Sequence, residues 1–273
     1  MPVDRNVKNY GAGMKVRVAA MSGWFPGLSN VEMVEQVAAY GYTAFENLGA
    51  GKWADKEAVK AKCEELGVKP GAISGGGTIN GDGPVNLGNH AQFEAQIREA
   101  IRNAKALGST CLVGLTGAVR ERLSLERQMD NLVVAGKRVA PMLEDAGITL
   151  TFEMLNTLRS HPGYFLVYSD QGADLVDRIG SPNVKLLFDV FHQQISEGNV
   201  IDNLTKYAGE IGHFHFADNP GRHEPGTGEL NYRNIFKAIA ATGYTGIVSA
   251  EFSLTPGCTT DGVMRILAEC ATW

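Results

Sequence analysis

The sequence predicts a single-domain (β/α)8 TIM barrel, an α/β fold, over residues 14–273, with residues 1–13 as a flexible N-terminal tail. Three observations predict it. A helix-like pattern closed by glycine and followed at once by a short apolar run recurs along the chain, at Gly41, Gly67, Gly108, Gly147, Gly180, Gly212 and Gly243. These glycines lie 26, 41, 39, 33, 32 and 31 residues apart, the length of a βα unit. The runs that follow are nearly continuous in apolar character, as strands buried on both faces are, and no linker interrupts them. A chain of 273 residues also suits one barrel of about 250 residues.

Each element has its own local reason. VRVAAMSG (Val16 to Gly23) reads as the opening strand. Ser29-Asn30-Val31-Glu32 is a capping box that starts the first helix, the serine accepting from the backbone and the glutamate reaching back. The seven later strands read as YTAFENL, VKPGAI, STCLVGL, ITLTFEM, SPNVKLLFD, HFHFAD and YTGIVSAEF. A glycine before each takes the left-handed conformation that ends a helix and turns the chain back. A doubly wound open sheet is the alternative, and it wants a phosphate-binding GxGxxG turn after the first strand. The segment there, Ser22 to Gly27, lacks that spacing, and Gly75-Gly76-Gly77 after the third strand is a glycine run without the motif.

Composition narrows the function. The net charge of −5 argues against a nucleic-acid partner, which selects a basic face. No run of 18 apolar residues occurs, so no membrane span is expected. The polar start, Met1 to Gly13, does not read as a signal peptide as it stands. Cys63, Cys111, Cys258 and Cys270 have no CxxC spacing and read as reduced thiols, so a cytoplasmic location is expected. A small-molecule substrate is the expected partner, and the composition leaves room for a homo-oligomer.

In a barrel the active site lies at the C-terminal ends of the strands. Strands five to eight end at Glu153, Asp189, His215 and Glu251, which are 36, 26 and 36 residues apart, one repeat each. Any one acid alone reads equally well as a buried salt bridge or a loop residue. Four in register aim at one point, where three carboxylates would repel one another unless a divalent cation joined them. Three carboxylates and one imidazole favour one Mg²⁺ or Mn²⁺, with Co²⁺ or Zn²⁺ as alternatives, over a closed structural zinc site. His192, three residues after Asp189, falls at the rim of this point. The loop ADNPGRHEPGTGELNY is stiffened by Gly and Pro, and its Arg222 could fork onto a substrate carboxylate or hydroxyl pair. His213 shares the inward parity of His215 two residues deeper and reads as a hydrogen-bonded interior histidine. Trp24, Phe25 and Trp53 are candidates for pocket walls.

The run SPNVKLLFDVFHQQISEGNV, then GHFHFADNPGRHEPGTGELNY and GYTGIVSAEF, resembles the hydroxypyruvate isomerases. These belong to the xylose isomerase-like TIM barrels, which also include ketose 3-epimerases and endonuclease IV. The resemblance is strong from Thr151 to Phe252 and architectural before that. It implies a divalent metal on Glu153, Asp189, His215 and Glu251, proton transfer by Glu153 and Glu251, and substrate oxygens held by His192 and Arg222. Where this chain has His215, hydroxypyruvate isomerases often carry Gln and the epimerases His. The implied activity is isomerisation of a small hydroxy-keto acid through an enediolate, an intramolecular oxidation and reduction. A ketose 3-epimerase on a free sugar is the alternative. An endonuclease IV-like nuclease wants more histidines and a basic groove, and a non-catalytic sugar-binding barrel would not need this carboxylate set.

Overall fold

The computed structural model describes Val3 and residues 7–273. Its strands are β1 (Arg17–Met21), β2 (Ala44–Glu46), β3 (Lys69–Pro70), β4 (Ile73–Gly76), β5 (Cys111–Gly114), β6 (Thr149–Glu153), β7 (Val184–Asp189), β8 (Ile211–Phe216) and β9 (Ile247–Ala250). Every pairing is parallel, in the order β3-β2-β1-β9-β8-β7-β6-β5-β4. The last strand pairs with the first, Val18 opposite Val248. The two ends of the order, β3 and β4, are consecutive in the chain and separated only by Gly71 and Ala72. They are one stave, broken in the middle, so the nine strands form the eight staves of a (β/α)8 barrel. The expected fifth to eighth strands are β6 to β9.

The helices α1 (Asn30–Ala39), α2 (Lys56–Leu66), α3 (His90–Leu107), α4 (Leu125–Ala146), α5 (Ser169–Ile179), α6 (Val190–Ser196), α7 (Val200–Lys206), α8 (Tyr232–Ala241) and α9 (Thr260–Ala271) fill the crossovers. Ser29 and Glu32 form the expected capping box on α1. Helices α2, α3, α4 and α5 end at Gly67, Gly108, Gly147 and Gly180, each left-handed at the C-cap. Gly212 departs from the pattern, because it lies inside β8 and closes no helix. A Cβ there would meet the Lys185 Cβ at 2.7 Å, so glycine at 212 answers to strand packing. Of the expected tail, residues 1, 2 and 4–6 lie outside the described residues. Residues that follow pack against the C-terminal end of α1: the Gly11 N–H donates to the Tyr40 carbonyl at 2.9 Å and the Tyr10 and Tyr40 rings stack.

Alternation along the strands divides the interior in two. Leu150, Phe152, Leu186, Phe188, Phe214 and Phe216 belong to the large buried cluster that also takes the apolar helix faces. The other parity faces the barrel axis. There the apolar cluster is small, Ala72, Val113 and Leu187, and the neighbouring positions are polar: Thr151, His213 and Ser249, all buried. A barrel with a polar axis and an apolar jacket places its ionisable strand ends at one mouth.

Candidate active site

Glu153 is the last residue of β6 and Asp189 the last of β7, where its Oδ1 also caps α6 by accepting from the Phe191 N–H at 2.8 Å. His215 pairs across from Asp189 in β8, and Glu251 follows β9, its N–H donating to the Phe216 carbonyl at 3.0 Å. One ligand atom from each of Glu153, Asp189, His215 and Glu251 lies within 4.8 Å of the others. Metal–oxygen bonds run about 2.0–2.6 Å, so two ligands on opposite sides of one ion stand at about that separation. Three of the four are almost wholly buried and Glu251 is half-buried. The cluster is able to hold a divalent cation.

Charge is unevenly shared among these groups. Burial, and then the charge of Glu251, hold the Glu153 carboxyl above its ordinary range. Burial acts the same way on Glu251, but His215 and Arg222 outweigh it and hold that carboxyl low. The Arg222 guanidinium Nη2 lies 2.6 Å from Glu251 Oε2 and 3.4 Å from Asp189 Oδ2. His215 is held from both sides, with Nδ1 3.1 Å from Glu251 Oε2 and Nε2 2.7 Å from Glu46 Oε1. Burial works against its charge, yet Glu46 and Glu251 raise its pKa well above the ordinary value.

Glu46 was not singled out by sequence reasoning, although it ends an apolar run in β2 as the other four do. Its Oε2 contacts His213 Nε2 at 2.9 Å and accepts from the Ala72 N–H at 2.6 Å, inside the break between β3 and β4. A Cβ on Gly71 would fall 2.3 Å from the same carboxylate oxygen, so the glycine makes room for it. His213 is therefore the hydrogen-bonded interior histidine that its parity predicts. A carboxylate behind a ligating imidazole fixes the ring and its proton, a recurrent arrangement in metal sites.

His192 is fully buried at the start of α6. Its Nδ1 faces the Asn156 backbone N–H at 3.3 Å and the Asn156 carboxamide nitrogen at 2.6 Å. The Asn156 Oδ1 is committed to the N–H groups of Arg159 and Ser160, so its amide nitrogen is the end turned to the ring. With Nδ1 accepting, the proton of the neutral ring is on Nε2. Among the described residues that nitrogen is buried without a hydrogen-bond partner, 3.5 Å from Asp189 Oδ2. Burial brings the His192 pKa down to about 4, which keeps the ring neutral near pH 7.

The loop carrying Arg222 is organised by Asp218, another residue that sequence reasoning missed. Its carboxylate accepts from the N–H groups of Asn219, Gly226, Gly228 and Leu230. Arg222 turns inward with φ 59° and lies over the Phe191 ring at 5.0 Å. Glu224 ties the loop to the segment after β9, accepting from the Thr255 N–H at 3.0 Å. A cavity of about 530 Å³ opens above the cluster, with Glu153, Glu251, Arg222, His192 and His161 in its wall. Trp24, Phe25 and Trp53 do not line it. Trp24 packs on Phe252 and Trp53 on Phe45, because apolar rings close to strand ends find apolar partners there before they find the pocket.

Comparison with known proteins follows the same lines. The model of the xylose isomerase-like TIM barrel family matches residues 34–269, and this chain belongs to that family. Within it the chain is hydroxypyruvate isomerase-like, and it is an isomerase. It is 38% identical over 181 residues to the hydroxypyruvate isomerase of Escherichia coli K12, covering 65% of this chain and 68% of that protein. It is 35% identical over 169 residues to the 2-oxo-tetronate isomerase of Cupriavidus necator, covering 60% and 63%. Among solved structures, a family 2 AP endonuclease from Brucella melitensis superposes with a TM-score of 0.81 at 26% identity, over 93% of this chain and 98% of that one. D-psicose 3-epimerase from Clostridium cellulolyticum H10 superposes at 0.73 with 18% identity, over 93% and 96%, a likeness of fold alone.

Proposed function

We propose that this protein isomerises a small hydroxy-keto acid such as hydroxypyruvate through an enediolate, with Glu153 and Glu251 moving the proton. The observation that carries this reading is the convergence of Glu153, Asp189, His215 and Glu251, two of which, Glu153 and Glu251, line one cavity together with Arg222 and His192. Names carried by the E. coli and Cupriavidus relatives support the substrate class. The four converging groups would hold one divalent cation, Mg²⁺ or Mn²⁺ by the oxygen-rich donor set. When bound, that ion supplies Lewis acidity at the substrate's carbonyl and hydroxyl oxygens.

The chain's own groups do the rest. Glu251, held ionised by His215 and Arg222, takes the proton from the hydroxylated carbon at its carboxylate oxygen. Glu153, whose carboxyl burial raises above its ordinary range, returns a proton to the neighbouring carbon, and the substrate's hydroxyl proton passes to its former carbonyl oxygen. His192 donates Nε2–H to a substrate oxygen, which completes the hydrogen bonding of a buried nitrogen that lacks a partner among the described residues. Arg222, with Nε and Nη2 turned to Glu251 and Asp189, offers its Nη1 donors to the carboxylate. Purified protein with Mn²⁺ or Mg²⁺ is expected to turn over hydroxypyruvate faster than any neutral ketose in a panel. A higher kcat/KM on a ketose, with inversion at carbon 3, supports the epimerase reading instead. Inertness toward every keto acid and ketose contradicts both.

A further inference from the structure

The hydrogen bonding of His192 is one-sided. Its ring is buried, with Phe191 edge-on to it at 5.4 Å and His161 tilted against it at 5.3 Å between centroids. Its Nδ1 faces two N–H donors, both from Asn156: the carboxamide at 2.6 Å and the backbone at 3.3 Å. Its Nε2 lies toward the reacting groups, 3.5 Å from Asp189 Oδ2, and has no hydrogen-bond partner among the described residues. His192 shares the cavity wall with Glu153, Arg222 and Glu251.

Asn156 has no freedom to reverse this arrangement. It is fully buried, three residues after Glu153. Its Oδ1 accepts from the Arg159 N–H at 3.0 Å and the Ser160 N–H at 3.2 Å. Its amide nitrogen keeps a second hydrogen for Ser160 Oγ at 3.5 Å. Turning the carboxamide over would set its NH2 group against two N–H donors. The amide is therefore a donor toward the ring, and Nδ1 is an acceptor. The hydrogen bond made by one ring nitrogen decides which nitrogen carries the proton, so the proton of the neutral ring is on Nε2. A ring in that state can donate from Nε2 and cannot take a proton there.

We infer that Asn156 is a positioning residue that makes His192 a one-way donor toward the substrate's carbonyl oxygen. The inference rests on the keto-acid isomerase reading for the identity of that oxygen. A carbonyl oxygen only accepts, so it matches Nε2–H. An enediolate oxygen carries more negative charge and matches it better, so the donor is worth most where the charge develops. His192 has no vacant position for a hydroxyl hydrogen and takes no part in carrying that proton between the two substrate oxygens. Asn156 does not line the cavity and acts through the ring alone.

The test uses protein with isotope-labelled histidine, loaded with Mg²⁺, in which nitrogen NMR separates a protonated ring nitrogen from a bare one. The spectrum of His192→Gln assigns the signal. Wild type is expected to show Nε2 protonated and Nδ1 bare. Asn156→Asp keeps an acceptor for the Arg159 and Ser160 N–H groups and replaces the donor by an acceptor, so Nδ1 is expected to gain a proton. The ring then either leaves Nε2 bare or, carrying a charge, turns Nε2–H to Asp189. In both cases the directed donor is lost, and kcat/KM for hydroxypyruvate is expected to fall at least about 10-fold. A glutamine side chain in place of His192 presents an N–H whatever stands beside it, so in the His192→Gln background Asn156→Asp is expected to cost less than about threefold. A proton on wild-type Nδ1, or an Nδ1 still bare in folded Asn156→Asp, overturns the inference. Equal losses in the two backgrounds overturn it too and make Asn156 a brace of its loop. If Asn156→Asp does not fold, His192→Gln and His192→Asn decide. The longer amide reaches the place of Nε2 and the shorter one only that of Nδ1, so His192→Gln is expected to keep at least about 10-fold more kcat/KM, and parity overturns the inference. The expected wild-type spectrum in a protein that turns over no keto acid removes the isomerase reading and keeps the assignment of the proton.

Discussion

Two glutamates at this site carry the same functional group in different surroundings. Burial raises the Glu153 carboxyl above its ordinary range, and His215 with Arg222 hold that of Glu251 low. Under the proposed function the two would differ in their readiness to give and to take a proton. Replacing either by Gln preserves shape and one acceptor oxygen but removes the titrating oxygen. General acid–base assistance contributes typically 10²–10⁴-fold. Glu153→Gln and Glu251→Gln are each expected to lose at least about 10²-fold in kcat, with bound metal measured in the same samples. Near-full kcat in a metal-loaded variant takes that residue out of the proton transfer. Arg222 makes a second residue-scale prediction. Lysine keeps the charge and loses the planar fork, so Arg222→Lys is expected to raise KM for a keto acid and to affect a neutral ketose much less. Equal, negligible changes on both substrates would make Arg222 a structural residue.

Among the elements, the broken third stave and the loop after β8 decide how the site is held. Glu46 fills the break between β3 and β4 and faces the outer nitrogen of His215. Removing such a partner typically weakens metal binding 10–100-fold. Glu46→Gln is expected to do the same to Mn²⁺ affinity, read by titration followed by electron paramagnetic resonance. An unchanged affinity in a folded variant would leave Glu46 as no more than a strut for the broken stave. The ends of β6 to β9 were legible in the sequence, since an ionisable group after an apolar run is conspicuous. Glu46 carries the same signal in YTAFENL, but its stave does not neighbour the other four, so their regular spacing does not point to it. Asp218 and Asn156 gave no signal, since each acts through loop N–H groups whose positions only the folded chain defines. Trp24 and Trp53 misled for the opposite reason, because a large ring in a sequence does not tell which side of a strand end it packs against.

For the molecule as a whole, the repeat of helix, glycine and strand was enough to predict the barrel, and two of its details were not. The third stave read as one strand, although Gly71 yields its space to Glu46. Gly212 read as a helix end and lies inside β8. Both departures come from contacts between distant segments, which periodicity does not encode. The same long-range closure links the site to global stability, since its four converging groups come from four staves. A ligand that binds only the folded state stabilises it by about 2.7 kcal/mol at 100 times its dissociation constant. At roughly 2–4 °C per kcal/mol for a chain of this size class, saturating Mn²⁺ is expected to raise Tm by about 5–10 °C. Asp189→Asn is expected to abolish most of that rise, and a full rise in this variant would place the ion elsewhere.

Proton transfer by the chain's own carboxylates is the central claim, and the solvent tests it most directly. A proton held on a carboxyl beside an open cavity exchanges with water before it is returned, whereas a hydride passed directly between the two carbons does not. Wild-type enzyme with Mn²⁺, turning over hydroxypyruvate in deuterium oxide, is analysed by mass spectrometry after the aldehyde product is trapped by reduction. Deuterium in the newly formed C–H bond of the product is the predicted result. Product that carries only the substrate's own hydrogen at that carbon, at every pH where the enzyme turns over, would contradict the account.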